Sequence, residues 1–146
     1  MNEIIQVLMA FLGSLGFTIV FGCKKSHIIF LSLGGALSWI VYLISSPFVA
    51  FEPAKYFIAT VFVALYAEIF ARILKTPTTD ILIPALVPLI PGGALYYTIR
   101  YAFSSEWQSF LSNGSLTLGI AFAIALGVIA VSIVSKLVYA TKRKES

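Results

Sequence analysis

Cysteine, histidine and charged side chains are all scarce in this sequence of 146 residues. Cys23 is the only cysteine, which excludes an intramolecular disulfide and a cysteine-based metal cluster. His27 is the only histidine, so zinc or haem would find almost no ligands, and we expect neither a metal nor a cofactor. The sequence also lacks the Ser/His or paired-Asp constellation that hydrolysis requires, so we do not expect an enzyme.

Charge is low and apolar content is high. Only 11% of the residues are charged, whereas a soluble domain has about a quarter. Apolar residues make up 60%, and the mean hydropathy is +0.99. A soluble fold of this length would be too small to bury so much apolar surface, and 21 aromatic residues (12 Phe, 7 Tyr, 2 Trp) exclude disorder. The composition therefore indicates an integral membrane protein whose main environment is the lipid bilayer.

Five apolar runs, each long enough to cross a hydrocarbon layer of ~30 Å, follow one another along the chain. Their approximate bounds are 4–22, 28–46, 56–74, 81–103 and 116–138. We predict an all-α fold in which residues 1–146 form a single transmembrane domain of about five helices. Polar links separate the runs, including one over Ser104–Ser115, and residues 141–146 form a basic cytoplasmic tail. No Lys or Arg precedes the first run, so we interpret that run as a retained span, not a signal peptide.

The distribution of Lys and Arg predicts the orientation. If all five runs cross, eight basic residues lie on one side and only Lys55 and Arg100 lie on the other. The positive-inside rule then places the N-terminus outside and the C-terminus in the cytoplasm. A four-span alternative, in which the fourth run only dips into the bilayer, would place the basic tail outside. Because the basic residues lie between apolar runs, the net charge of +4 does not indicate a nucleic-acid partner.

The fourth run contains three prolines and a double glycine near its centre. Pro88 and Pro91 each remove one helical N–H and displace a carbonyl four residues earlier, and Gly92 and Gly93 follow at once. We therefore predict that this span is broken near the bilayer midplane, where irregular backbone persists only beside protein or water. The new helix start at Gly92 and Gly93 would offer N–H groups to a substrate carboxylate. The alternative is a kink that serves packing alone.

Three charged residues in or near the apolar runs are further candidates. Glu68 lies ~9 Å inside its span, where a carboxylate is costly unless it is paired, protonated or hydrated. It either forms an ion pair with Arg72, one turn away, or couples transport to protons. Arg72 is either a positive-inside anchor or part of an anion site. Arg100 either extends to the outer interface or marks the exit of an anion path.

Small residues recur every four positions in the last run, at Gly119, Ala123 and Gly127. Such a stripe lets another helix approach closely, either within this chain or in a second subunit. Five helices make a thin bundle for enclosing a solute path, so we expect a partner protein or a homo-oligomer.

Two sequence segments resemble the bacterial threonine/serine exporter family. Residues 71–79 read ARILKTPTT, and residues 84–93 read PALVPLIPGG, followed closely by LYYTIRY. The match is most similar to the small membrane subunit of the split, two-component form of these exporters. Arg72, Lys75, Pro77, Pro88 and Pro91 lie in the motif region, together with Gly92.

The resemblance implies a bacterial inner-membrane transporter and a larger partner subunit that carries a cytoplasmic domain. The implied substrates are small polar metabolites, either threonine and serine or a dicarboxylate such as succinate. From the broken span and the charged residues in or near the apolar runs, we expect Pro88, Pro91, Gly92, Gly93, Arg72 and Arg100 to contribute to substrate binding and Glu68 to proton coupling. The alternative function is a structural or assembly subunit with no solute path of its own.

Overall fold

All regular structure in the described part of the chain is helical. The computed structural model describes residues 2–144. Every regular element in this range is a helix, which confirms the all-α prediction. The six α-helices are α1 (Glu3–Val20), α2 (Ile28–Ser45), α3 (Glu52–Leu74), α4 (Thr78–Leu86), α5 (Gly92–Phe103) and α6 (Trp107–Lys144). Single 3-10 turns occur at Lys25–His27 and Val87–Leu89. Of the predicted tail, Glu145 and Ser146 lie outside the described residues.

Four of the helices are long and apolar enough to cross a membrane by themselves, namely α1, α2, α3 and α6. The segments Thr78–Leu89 and Gly92–Phe103 together meet the same criteria, but their axes are bent by 55°. The described chain therefore has four candidate spans, or five if the bent pair counts as one. The predicted break at the Pro/Gly-rich centre of the fourth run is confirmed, and both the five-span and the four-span arrangement agree with it.

The helices form a layered bundle. α1 packs on α2, α2 on α3, α3 on α6, and α6 on α5, while α4 fits against α1, α2 and α3. A small apolar core forms where α2, α3 and α4 meet, around Leu31, Ala67, Ala71 and Ile81. Large apolar side chains cover much of the outer surface, as expected for helices that face lipid.

Small residues permit the closest helix contacts. A Cβ on Gly35 of α2 would overlap the Ser14 hydroxyl of α1 and lie 2.6 Å from the Ser14 Cβ. On α6, Cβ atoms added to Gly119 and Gly127 would lie 3.1 Å from Pro53 and 2.9 Å from Thr60 of α3. The stripe predicted on the last span therefore packs within this chain.

Three of the described helices end in the same way, with one residue in the left-handed backbone region. After α5 this residue is Ser105, with φ +56°, and the other two are Gly22 and Lys75. Gly22 ends α1 with φ +66°, and the Cys23 N–H donates to the Thr18 carbonyl at 3.3 Å. Lys75 ends α3 with φ +52°, and the Thr76 N–H donates to the Ala71 carbonyl at 3.0 Å. The turns at Gly22 and Lys75 reverse the chain at the same end of the bundle, which we call the basic end.

The last helix starts much earlier than its apolar run. The sequence predicted a polar link over Ser104–Ser115, whereas α6 begins at Trp107 and continues for 38 residues. Polar side chains in its first turns bond back to the helix backbone: Asn113 donates to the Ser109 carbonyl at 2.9 Å and Ser115 to the Ser112 carbonyl at 2.9 Å. Low hydropathy therefore marks the end of the apolar run but not the end of the helix.

Candidate functional site

The break between α4 and α5 is built by its prolines. α4 ends at Leu86, the turn Val87–Leu89 follows, and Pro91 precedes α5 with φ −75° and ψ 55°. These angles form an inverse γ-turn, in which the Gly92 N–H donates to the Ile90 carbonyl at 2.7 Å. The chain therefore changes direction within two residues.

The carbonyls displaced by the prolines find new donors nearby. Pro88 has no N–H to donate to the Pro84 carbonyl, so that carbonyl accepts a hydrogen bond from the Val87 N–H instead. The Val87 carbonyl accepts from the Ile90 N–H at 3.2 Å. Both carbonyls therefore have a hydrogen-bond partner within the break itself.

The start of α5, in contrast, has backbone N–H groups without hydrogen-bond acceptors in the described part of the chain. The Leu95 N–H donates to the Pro91 carbonyl at 2.9 Å, but the N–H groups of Gly93 and Ala94 have no acceptor among residues 2–144. Gly92 and Gly93 are exposed. Among the described residues, apart from the chain neighbours and the nearby backbone of the same helix, no atom would lie within 4 Å of a Cβ on either glycine. This helix start carries a partial positive charge and is open to an anionic group.

A groove of about 290 Å³ lies on the other side of the break, between α1 and α2. Pro88 lines it together with Gln6 and Trp39, and the Trp39 Nε1 donates to the Gln6 Oε1 at 3.1 Å. The remaining walls are apolar. The break therefore borders two open surfaces, one beside Pro88 and the other at Gly92 and Gly93.

Glu68 and Arg72 form the ion pair that their spacing predicts. The Arg72 Nη2 donates to the Glu68 Oε2 at 2.6 Å and to the Ser135 Oγ at 2.9 Å. The Ser135 hydroxyl in turn donates to the Glu68 Oε2 at 2.9 Å. The Glu68 side chain is 20% exposed and that of Arg72 is 40% exposed. This Glu68–Arg72–Ser135 network joins α3 to α6 at the basic end.

The two candidate arginines do not share a site. Arg72 contacts Ser135, whereas Thr98, close to Arg100 on α5, contacts Thr117 at 3.2 Å. Thr117 and Ser135 are separated by ~27 Å of helix at 1.5 Å per residue. Arg100 lies beyond Thr98, still farther from Arg72. The structure therefore brings Pro91, Gly92 and Gly93 together but not the two arginines.

A polar cluster at the other end of the bundle was missed by the sequence reasoning. Glu52, in the first turn of α3, accepts from the Tyr42 hydroxyl through one oxygen and from the Lys55 Nζ at 2.6 Å through the other. Tyr42 stacks on Trp39, with ring centroids 4.7 Å apart, so the cluster reaches the groove beside Pro88. The acid–base spacing of Glu52 and Lys55 is the signal that would have identified it.

The comparison with known proteins covers nearly all of the described helices. A family described as "Threonine/Serine exporter, ThrE" matches residues 6–134, a range that includes α1 to α5 almost entirely and most of α6. No curated protein and no solved structure gives a significant match. The match covers most of the chain and agrees with several apolar helices of a multi-pass membrane protein. The chain belongs to the threonine/serine exporter family.

Proposed function

We propose that this chain is the small membrane subunit of a two-component exporter in the bacterial inner membrane. Family membership makes the chain an exporter-type transporter. The proposed substrates are small metabolites that carry a carboxylate: threonine and serine, or a dicarboxylate such as succinate. Residues 1–146 act as one transmembrane domain, and a larger subunit with a cytoplasmic domain completes the transporter.

One observation carries this proposal: the N-terminus of α5 is open and lies in the middle of the bent helix pair. The N–H groups of Gly93 and Ala94 have no acceptor among the described residues, and the space around Gly92 is free. Transporters often bind the carboxylate of a substrate at the N-terminus of such a half-helix. Pro88 and Pro91 form the break, while Arg72 and Arg100 lie toward opposite ends of the bundle.

The packing of α5 supports a partner subunit. α5 packs chiefly on α6, and none of its residues is buried. Irregular backbone at bilayer depth requires protein or water around it, not lipid. We therefore place the larger subunit over α5 and the break, where it would enclose the substrate position.

The orientation in this proposal follows from the basic end. Lys24, Lys75 and Lys136 belong to this end, where the Glu68–Arg72–Ser135 network also lies. The positive-inside rule places it in the cytoplasm, so the N-terminus lies outside. Export would then begin at the basic end.

Replacing Glu68 by Gln is expected to weaken the proton dependence of efflux severalfold without loss of protein from the membrane. The amide oxygen can still accept hydrogen bonds from Arg72 and Ser135, but the side chain can no longer gain or lose a proton. Arg72 lies in the last turn of α3, where it can extend to the interface, and it keeps its hydrogen bond to Ser135, so the fold should persist. Efflux measured across a pH series tests this expectation.

Glu106→Gln is the matched control, because Glu106 is an exposed acid outside the network. Its pH profile should equal that of the unmodified chain. An unchanged profile for Glu68→Gln would remove Glu68 from proton coupling and leave it as the ion-pair partner of Arg72.

The proposed function is tested by efflux of preloaded, labelled serine, threonine and succinate. Cells express this chain alone, the larger subunit alone, or both. Efflux from the pair only is expected and would identify the substrate class. Equal efflux in cells with the larger subunit alone would instead support the structural or assembly role. Absence of efflux from all three, with both proteins verified in the membrane, would contradict the proposal.

A further inference from the structure

A polar cleft of about 280 Å³ opens at the basic end, beside the first turns of α4. The link after α1 forms one wall, and the link between α3 and α4 forms the other. The left-handed turns at Gly22 and Lys75 direct these two links toward each other. The Cys23 Sγ lies 3.8 Å from the Asp80 carbonyl oxygen and bridges the two walls.

The cleft contains charges of both signs and two hydroxyl groups. Lys24 lines the wall after α1, whereas Lys75 and Asp80 line the wall formed by the α3–α4 link and the start of α4. The Thr76 hydroxyl donates to the Asp80 Oδ2 at 3.0 Å, which fixes the carboxylate. A carboxylate has about four acceptor positions, so Asp80 retains capacity for a further donor. Thr79 supplies the second hydroxyl.

We propose that this cleft is the loading site for a zwitterionic amino acid with a small polar side chain. The substrate ammonium binds Asp80, and the substrate carboxylate binds between Lys24 and Lys75. Each water occupies ~30 Å³, so the cleft holds a small amino acid with part of its hydration shell. This inference rests on the proposed function, which supplies the transport activity and the orientation.

The cleft selects against a dicarboxylate. A second carboxylate in the position of the ammonium would face Asp80, and like charges at hydrogen-bonding distance are unfavourable. The site therefore distinguishes the two substrate classes of the proposed function, in favour of serine and threonine. Substrate would pass from this cleft along α4, since Pro84 lines the cleft and Pro88, one turn further, lines the groove at the break.

Cys23 is a built-in reporter for this site, because it is the only cysteine of the chain. Partial burial raises the pKa of the Cys23 thiol, and the nearby Asp80 carboxylate raises it further. A raised pKa means less thiolate at neutral pH. We expect the maleimide labelling rate to keep rising above pH ~8.5, where an ordinary thiol is half ionised. In Asp80→Asn the midpoint of the labelling rate against pH should shift to lower pH. An unchanged midpoint would show that the Asp80 charge does not affect the thiol.

The test of the loading site is protection of Cys23 in inside-out vesicles that contain the complete transporter. Maleimide labelling of this chain is followed at pH 8.5 with L-serine, L-threonine, succinate or N-acetylserine. Saturating serine or threonine is expected to slow labelling at least ~10-fold, whereas succinate and N-acetylserine, which lack the ammonium, should not. Equal protection by succinate, or no protection by either amino acid, would overturn the proposal.

Variants provide the second measurement. Asp80→Asn and Lys75→Asn should each raise the serine concentration for half-maximal protection, and for half-maximal efflux, at least ~10-fold. Asparagine keeps the Thr76 hydrogen bond at position 80 and tolerates the left-handed backbone at position 75. Lys136→Asn is the control, since Lys136 is an exposed lysine outside the cleft. Unchanged half-maximal serine concentrations in Asp80→Asn would also overturn the proposed loading site.

The loading site and the exporter function can be refuted independently of each other. Serine efflux without protection of Cys23 would refute the cleft and leave the exporter function intact. Protection without any efflux would support the cleft and contradict the exporter function.

Discussion

Replacing Gly35 by Ala is expected to destabilise the fold strongly, because the contact between α1 and α2 has no room for a methyl group. The new Cβ would overlap the Ser14 hydroxyl and lie 2.6 Å from the Ser14 Cβ. Overpacking of this kind costs roughly 1–3 kcal/mol, and the better helix propensity of Ala recovers at most ~1 kcal/mol. The expected result in detergent is a melting temperature lower by several degrees and less folded protein.

A second substitution should restore the stability that Gly35→Ala loses. Ser14→Gly removes both overlapping atoms, so the double variant Ser14→Gly/Gly35→Ala should regain most of the stability. Ser14→Ala removes only the hydroxyl and should not rescue. Gly16→Ala is the control, since no atom lies within 4 Å of a Cβ there. If Gly35→Ala melts at the same temperature as the unmodified chain, the close approach of α1 and α2 is wrong.

Gly92→Leu is expected to reduce efflux at least ~10-fold, equivalent to about 1.4 kcal/mol, while the protein remains folded in the membrane. No atom lies within 4 Å of a Cβ at Gly92, so the fold accommodates a side chain. The leucine would occupy the space in front of the Gly93 and Ala94 N–H groups. Efflux of labelled substrate and the amount of membrane-inserted protein, measured together, test this expectation.

The same substitution at Gly16 is the matched control. Gly16 is equally exposed and open, but it lies on α1 away from the break. Gly16→Leu should transport at the normal rate. Near-normal efflux from Gly92→Leu would exclude the start of α5 as the substrate position.

Much of the helical order was predictable because a membrane imposes simple rules. Each apolar run had to contain a helix, and the three prolines with Gly92 and Gly93 had to interrupt the fourth. The spacing of Glu68 and Arg72 predicted their ion pair, but the third member, Ser135, comes from a distant helix. A hydroxyl that serves such a network has no sequence signal of its own.

The cleft and the closest helix contact were not predictable for a related reason. Cys23 and Asp80 are far apart in sequence, and their walls meet only because two left-handed turns face each other. Gly35 is one of two neighbouring glycines, and only the rotation of α2 decides which one meets Ser14. Periodicity predicts a helix but does not fix its rotation against a neighbour.

The length of α6 has a consequence for the surrounding lipid. Its 38 residues extend for ~57 Å, whereas the 18 residues of α1 extend for only ~27 Å, close to the ~30 Å of the hydrocarbon layer. The apolar run of α6, residues 116–138, extends for only ~35 Å, so the polar first turns and the basic last turns of this helix extend into the headgroups and water. Bilayer thickness therefore decides how much of the α3–α6 contact, which includes the Glu68–Arg72–Ser135 network, lies within hydrocarbon.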